Sequence, residues 1–367
     1  MLEANPLSAQ GSFEEARRQI GICNACRYCE GYCAVFPAIT ASRHFGTAEI
    51  TQLANLCHNC RGCYYACQYS EPHAFAVNLP AALAHARFES WRDLAWPGSL
   101  AAALDRSGTL IAALVVVATA AILWLAQTAG DPAATGFYAY IGHGAMIAIF
   151  LPAFVLPLVT IAVSLRRYWR RVGGRPLVLA DVSSATRAVL RLENLSGGQG
   201  QGCNFERGER FSNTRRWAHQ ATLAGFLLCL ASTSSATVMH YALDWPAPYG
   251  PLTLPKLLGV PGGVLLAGGC AALAWLKLRA APKLGDAPRW GAEMAFVLLL
   301  LGVALTGLAL YAATGTGWVR PLLAIHLATV LTFFLLTPYS KMVHGFYRTA
   351  ALLRDAQRRR DLRAMST

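Results

Sequence analysis

The sequence predicts an all-α membrane protein in which a small cysteine-rich helical domain precedes a bundle of six transmembrane helices. Three observations carry that prediction. Mean hydropathy over the 367 residues is +0.37, with only 14% charged side chains, which is too apolar for an ordinary soluble chain. Uncharged runs of about 20 residues recur after residue 107, the length that about 30 Å of hydrocarbon demands of a helix. Eight of the eleven cysteines fall between residues 23 and 67.

The apolar runs lie at about 108–129, 137–165, 217–241, 256–277, 291–313 and 319–341, so the composition places the domain boundary near residue 107. The second run contains Pro152 and Pro157, which predict a kink that neighbouring helices can accommodate. A net charge of +13 would suit a nucleic-acid partner if it formed one patch on a soluble domain. Here the basic residues collect between the runs: eleven arginines lie from Arg166 to Arg216, and others cluster at Lys277–Arg289 and in the tail from Arg348 to Arg363. The connections at about 130–136, 242–255 and 314–318 contain no Lys or Arg. This asymmetry predicts that both termini and the 166–216 loop face the cytoplasm, which six spans allow. Residues 1–22 include Glu3, Glu14 and Glu15 and lack the apolar stretch of a signal peptide. Residues 345–367 form a basic tail, readable as an amphipathic helix on the inner membrane surface or as a frayed end.

Cys23, Cys26, Cys29 and Cys33 form C-x2-C-x2-C-x3-C, and Cys57, Cys60, Cys63 and Cys67 repeat it 34 residues later, with Arg27 and Arg61 repeated alongside. Three thiolates spaced by two residues wrap a tight turn around three corners of a cubane, and a fourth completes the set. A reducing compartment favours such ligation over disulfides. In two-cluster ferredoxins the fourth cysteine of each run serves the other cluster. Carrying that pattern over assigns Cys23, Cys26, Cys29 and Cys67 to one [4Fe-4S] cluster, and Cys57, Cys60, Cys63 and Cys33 to the second. The proline that often follows the fourth cysteine is replaced by Ala34 and Gln68. Residues 47–56 read as helix, so the expected module is an α-helical two-cluster ferredoxin. Zinc is the rival occupant, but it usually takes separated C-x2-C pairs. Cys229 and Cys270, inside spans, read as packing residues. Cys203 follows a glycine-rich stretch, Gly197–Gly202, without the strand-then-helix setting of a dinucleotide loop, and takes no ligand role.

Five histidines, His143, His219, His240, His326 and His344, lie in or at the ends of predicted spans. A lone histidine at such depth usually packs with a hydrogen bond, but ionisable residues there are also functional candidates. His326 and His344 are 18 residues apart, five helical turns, and share one face near opposite membrane surfaces. His219 and His240 are 21 residues apart on the third span, about 60° out of register. Antiparallel packing of the third and sixth spans then pairs His219 with His344 and His240 with His326, each pair suited to clamp a b-type haem. One or two haems follow. His143 is an alternative ligand to His240, or a proton donor at a quinone site. The bundle is thereby expected to be cytochrome b-like.

CNACRYCEGYCAVFPA from Cys23 and CHNCRGCYYACQYSEPHAFAVNLP from Cys57 resemble the tricarballylate utilization protein B (CitB-like) family. So do GCNFERGERFSNTRRWAHQ from Gly202, HYALDWPAPY from His240 and PYSKMVHGFYR from Pro338, and the resemblance covers nearly the whole chain. It implies a multi-pass protein of the bacterial inner membrane. Such a protein reoxidises the flavin of a separate FAD-dependent tricarballylate dehydrogenase and passes electrons through iron-sulfur centres and haem to the quinone pool. The membrane half also resembles the cytochrome b subunit of respiratory nitrate reductase, where histidines on two helices hold two haems. No flavin or nicotinamide fingerprint occurs in this chain, so the electron donor is expected on a partner, and no catalytic side chain is assigned. The rival expectations are a redox sensor or assembly factor, and the anchor of a heterodisulfide-reductase-like complex.

Overall fold

The computed structural model describes residues 9–127, 136–197, 200–204, 206 and 210–366. The predicted end of the first span at 129 and most of the connection after it lie outside these. Among the described residues there are helices and no strands, apart from isolated bridges between Cys203 and Ser212 and between Glu206 and Ala280. Six helices are long and apolar enough to cross a membrane.

The cysteine-rich end is built from α1 (Ala9–Cys26), α2 (Val35–Thr40), α3 (Thr47–Leu56), α4 (Gly62–Tyr65) and α5 (Leu79–Leu94). The start of α5 is set by Asn78, whose side chain accepts from the Ala81 amide, and by Pro80 in the first turn. Ile20, Ile50, Leu53 and Leu83 are fully buried between these helices, and each contributes about 1.5–3 kcal/mol by leaving water. Asn55 in the same core is satisfied: its amide donates to Ser90 Oγ at 3.3 Å, and its oxygen accepts from Trp91 Nε1 at 2.7 Å.

The membrane helices are α6 (Gly98–Ala126), α7 (His143–Arg171), α9 (Thr214–Ala242), α10 (Leu254–Arg279), α11 (Trp290–Ala312) and α12 (Val319–Leu336), with α8 (Leu179–Arg191) between the second and third. In space α9 packs on α10, α10 on α11, α11 on α12, and α12 on both α6 and α7. The α9–α10 contact is close because it runs through small residues. A Cβ on Gly225 would meet the Leu266 amide nitrogen at 2.4 Å, and one on Gly269 would meet the Thr222 nitrogen at 2.6 Å.

Three features differ from the sequence expectation. The boundary expected near residue 107 falls inside α6, which begins at Gly98 and runs unbroken through the change in composition. The second helix starts at His143 rather than near 137, and continues through Pro152 and Pro157. The C-terminal segment is helical rather than frayed, and it packs against protein. Its helix α13 (Val343–Ser366) closes the core of the cysteine domain. Tyr347 stacks on Trp91 at 5.9 Å and meets Tyr168 of α7 edge-on at 5.5 Å. Gln52 of α3 donates to Ala351 O at 2.8 Å and accepts from Tyr168 Oη at 2.6 Å. Apolar residues on one face of α13, masked in sequence by six arginines, account for the docking. The cysteine domain and the bundle therefore share a core.

A half-buried ion triad reinforces that junction. Glu293 in the first turn of α11 accepts from Lys277 of α10 at 2.6 Å and also from Lys341, just before α13. Removing one member of such a group leaves uncompensated charge. Glu293→Ala is expected to cost about 3–5 kcal/mol, read as a lowered thermal midpoint in detergent; an unchanged midpoint would show that the lysines do not depend on it.

Candidate functional site

The two cysteine runs fold alike because each needs the same turn. Arg27 and Arg61, at equivalent positions in the repeats, both take left-handed backbone, with φ of 56° and 66°. For non-glycine residues this costs about 1–2 kcal/mol each, so the surrounding structure must impose it. The turn brings the first three sulfurs of each run around a common space, and the fourth cysteine points the other way. One cavity is lined by Cys23, Cys26, Cys29 and Cys67, and also by Cys63. The second is lined by Cys33, Cys57, Cys60 and Cys63.

Burial, reinforced by neighbouring thiolates, pushes the Cys23 and Cys29 thiols up to about 12. Burial likewise raises Cys60 to about 12, and Cys33 and Cys63 well above the ordinary thiol value. Thiolates crowded this closely are stable only around a cationic core. Among the described residues, no three Cys, His, Asp or Glu side chains converge tightly enough for a single metal ion. Each quartet rings a space rather than a point, and the donor set, all thiols, is that of an iron-sulfur cluster.

Cys203 lies outside both rings, buried against Leu192, Leu195 and Cys60, and its Sγ donates to Leu195 O at 3.0 Å. The adjacent Asn204 amide donates to Cys60 O at 2.9 Å, so this loop straps the second ring.

Several residues that the sequence did not single out converge on the same ring. Arg87 Nη1 donates to Cys57 O at 2.9 Å, and Arg348 Nη2 donates to the same oxygen at 3.2 Å. Arg215 Nη1 donates to Asn59 O at 2.6 Å. Arg61 Nε donates to Asn59 Oδ1 at 3.2 Å. Burial pushes Arg61 down to about 10, and burial with the neighbouring guanidiniums pushes Arg348 down to about 9, both still cationic at neutral pH. His58, between Cys57 and Cys60, is held by a 2.8 Å contact from Nδ1 to Leu56 O. Burial, then the charge of Arg348, drives its pKa well below the ordinary imidazole value, so it is neutral. A sequence signal did exist: Arg215 lies four residues before His219 and Arg348 four after His344, one helical turn on the same face.

The imidazole rings of His219 and His344 meet edge-on, with centroids 6.0 Å apart and planes at 89°. Two imidazoles sharing one metal through bonds of about 2.0 Å have centroids roughly 6 Å apart, so this pair fits an iron between them. His344 Nδ1 lies against Lys341 O, which orients the ring and leaves Nε2 for a metal. His219 Nδ1 is buried with no partner among the described residues.

The second expected pair does not form. His240 stacks on His143 at 4.9 Å and 28°, with Tyr138 and Tyr241 around them, and Tyr241 Oη lies 3.0 Å from His143 Nε2. His326 turns to α11, its Nδ1 3.1 Å from Thr306 Oγ1 and its ring against Gly307. The offset of about 60° between His219 and His240 explains the exchange: it aims His240 away from α12 and toward α7. The Nδ1 atoms of His143 and His240 are both buried without a partner among the described residues. Their rings are closer than one shared metal requires.

Residues 99–365 match the family described as Citrate utilization protein B, and residues 16–94 match the Citrate utilization protein B Fer4-like domain. The chain is 42% identical over 354 residues to the Citrate utilization protein B of Escherichia coli, an alignment covering 94% of this chain and 92% of that protein. The chain belongs to the citrate utilization protein B family. No solved structure matches it. The Fer4-like match ends at residue 94 and the second begins at 99, bracketing the Trp96–Pro97 connection between α5 and α6. Both cysteine rings lie in the Fer4-like part, whereas Arg215, Arg348 and the histidine pairs come from the other, so the junction is assembled from both halves of this CitB-family chain.

Proposed function

We propose that this member of the citrate utilization protein B family takes electrons from the reduced flavin of a cytoplasmic dehydrogenase and delivers them to membrane quinone. The observation that carries the reading is the continuity of three sites: a ring of thiols near the surface, a second ring sharing Cys63 with it, and an imidazole pair reached from the second ring by Arg215 and Arg348. Two [4Fe-4S] clusters and b-type haem bound there would accept and release electrons singly, coupling a two-electron flavin to a two-electron quinone.

The chain's own residues do the rest. Cys23, Cys26, Cys29 and Cys67 hold the entrance, beside Tyr28, whose ring is exposed as a partner's contact would require. Cys33, Cys57, Cys60 and Cys63 hold the inner cluster, and His219 and His344 hold the haem on the same side of the bundle. His143, His240 and Tyr241 gather ionisable groups at the other end of the third span, a place for proton delivery to a quinone. The family's name and the motifs support a tricarboxylate such as tricarballylate as the partner's substrate. The charge pattern supports a cytoplasmic cysteine domain in a bacterial inner membrane.

Anaerobic purification tests the reading. About eight non-haem irons and eight sulfides per chain are expected, with b-type absorption on dithionite reduction and stoichiometric quinone reduction by a reduced flavoprotein partner. Zinc without sulfide would overturn the cluster reading. A haem content of one per chain would confine haem to His219 and His344. Intact cofactors without quinone reduction would favour a sensor.

A further inference from the structure

The two cysteine rings sit in unlike electrostatic surroundings. Apart from its thiols, the first is walled by apolar and aromatic side chains such as Ile22, Phe36, Tyr64 and Tyr69, with Gln68 and no basic residue. Its repeat arginine, Arg27, is exposed and bonds to Asn24 O at 3.1 Å, on its own turn. The second ring has Arg61 in its wall. Arg87 and Arg348 both donate to the carbonyl of its ligand Cys57, and Arg215 donates to the carbonyl of Asn59 within the same run. Arg61 and Arg87 are 5% and 2% exposed. Glu293, an acid whose field reaches Arg348 and Arg61, is already shared by Lys277 and Lys341.

An iron-sulfur cluster gains one negative charge on reduction, so nearby cations raise its potential, while burial alone lowers it. Four guanidiniums, which stay charged in proteins, act on one ring through a poorly screened interior, and this outweighs the desolvation of one added electron. Arg215 and Arg348 also stand one helical turn from His219 and His344, so the groups that favour electrons on this ring fix it to the imidazole pair.

Resting on the cluster reading above, we infer that the ring of Cys33, Cys57, Cys60 and Cys63 holds the higher-potential cluster and is the one that donates to the His219–His344 site. Arg61, Arg87, Arg215 and Arg348 act as positioning and potential-setting residues. Electron flow is thereby given a direction, from an aromatic-walled entrance of lower potential to a cation-walled exit of higher potential.

The test is a redox titration of the full-length chain, purified anaerobically in detergent and followed by electron paramagnetic resonance. Wild type should show two resolved cluster potentials. Cys60→Ala should lose the higher wave and keep the lower. Arg348→Gln should lower only the higher potential, Arg348→Lys should restore most of the shift, and Arg61→Gln should act in the same direction without touching the membrane helices. Arg27→Gln, the same position in the other repeat, should leave the higher wave in place. Loss of the lower wave in Cys60→Ala, or arginine variants that move neither wave or both equally, would overturn the inference while leaving two clusters present. Protein without iron and sulfide would instead remove the reading on which it rests.

Discussion

Replacing Cys33 by alanine is expected to remove the same cluster as replacing Cys60, although the two belong to different motifs. Cys33 closes the first C-x2-C-x2-C-x3-C run, yet its thiol lines the cavity of Cys57, Cys60 and Cys63. Cys67 closes the second run and lines the cavity of Cys23, Cys26 and Cys29. The exchange follows from the turn at Arg27 and Arg61, which curls three sulfurs inward and sends the chain on toward the neighbouring ring. The expected result for Cys33→Ala and for Cys60→Ala is loss of about half of the non-haem iron and sulfide, with identical residual spectra. Cys67→Ala and Cys26→Ala should lose the complementary half. Electron transfer from a reduced partner to the haem should be abolished in all four. If Cys33→Ala instead spared the signal lost in Cys60→Ala, each run would serve its own cluster, and the crossed assignment would be wrong.

What the sequence makes legible here is what is local along the chain. A span needs only a run of apolar residues, and all six are found where the runs lie. The two quartets are likewise visible because the ligands of one cluster fall within a few residues of each other. Contacts between distant segments are another matter. Nothing in the pattern of residues 345–363 announced that Tyr347 would stack on Trp91, because the arginines dominate the composition while the packing rests on a few apolar positions. Arg87 looks like a surface residue of an amphipathic helix, and becomes a 2%-exposed donor only because Ala54 and Cys57 present carbonyls with no helical partner. The pairing of His240 with His326 failed for a related reason. Helical period gives the direction of each histidine on its own helix, but the identity of the facing helix depends on how α7 and α11 are arranged, which the sequence leaves open.

His219 and His344 do meet, because independent devices position them, and the loss of either should have the largest effect in the membrane half. His219 rides on α9, held against α10 through Gly225 and Gly269. His344 opens α13, whose anchor is the shared core at Tyr347 and Ala351. On the proposed reading, His219→Ala or His344→Ala takes one of two haem-binding imidazoles from α9 or from the first turn of α13. Each is expected to lower haem content by one per chain, with non-haem iron unchanged. Quinone reduction should fall more than about 100-fold, beyond the 10–100-fold that loss of a mere supporting contact produces. His326→Ala provides the contrast, because that ring's visible partner is Thr306 rather than another imidazole. It should cost stability through the lost hydrogen bond and the space opened against Gly307, and leave the haem bound at His219 and His344. Equal haem loss in His326→Ala and His344→Ala, with His219→Ala unaffected, would mean that α12 and α13 hold the ligands and that the 6.0 Å approach of His219 to His344 serves packing alone.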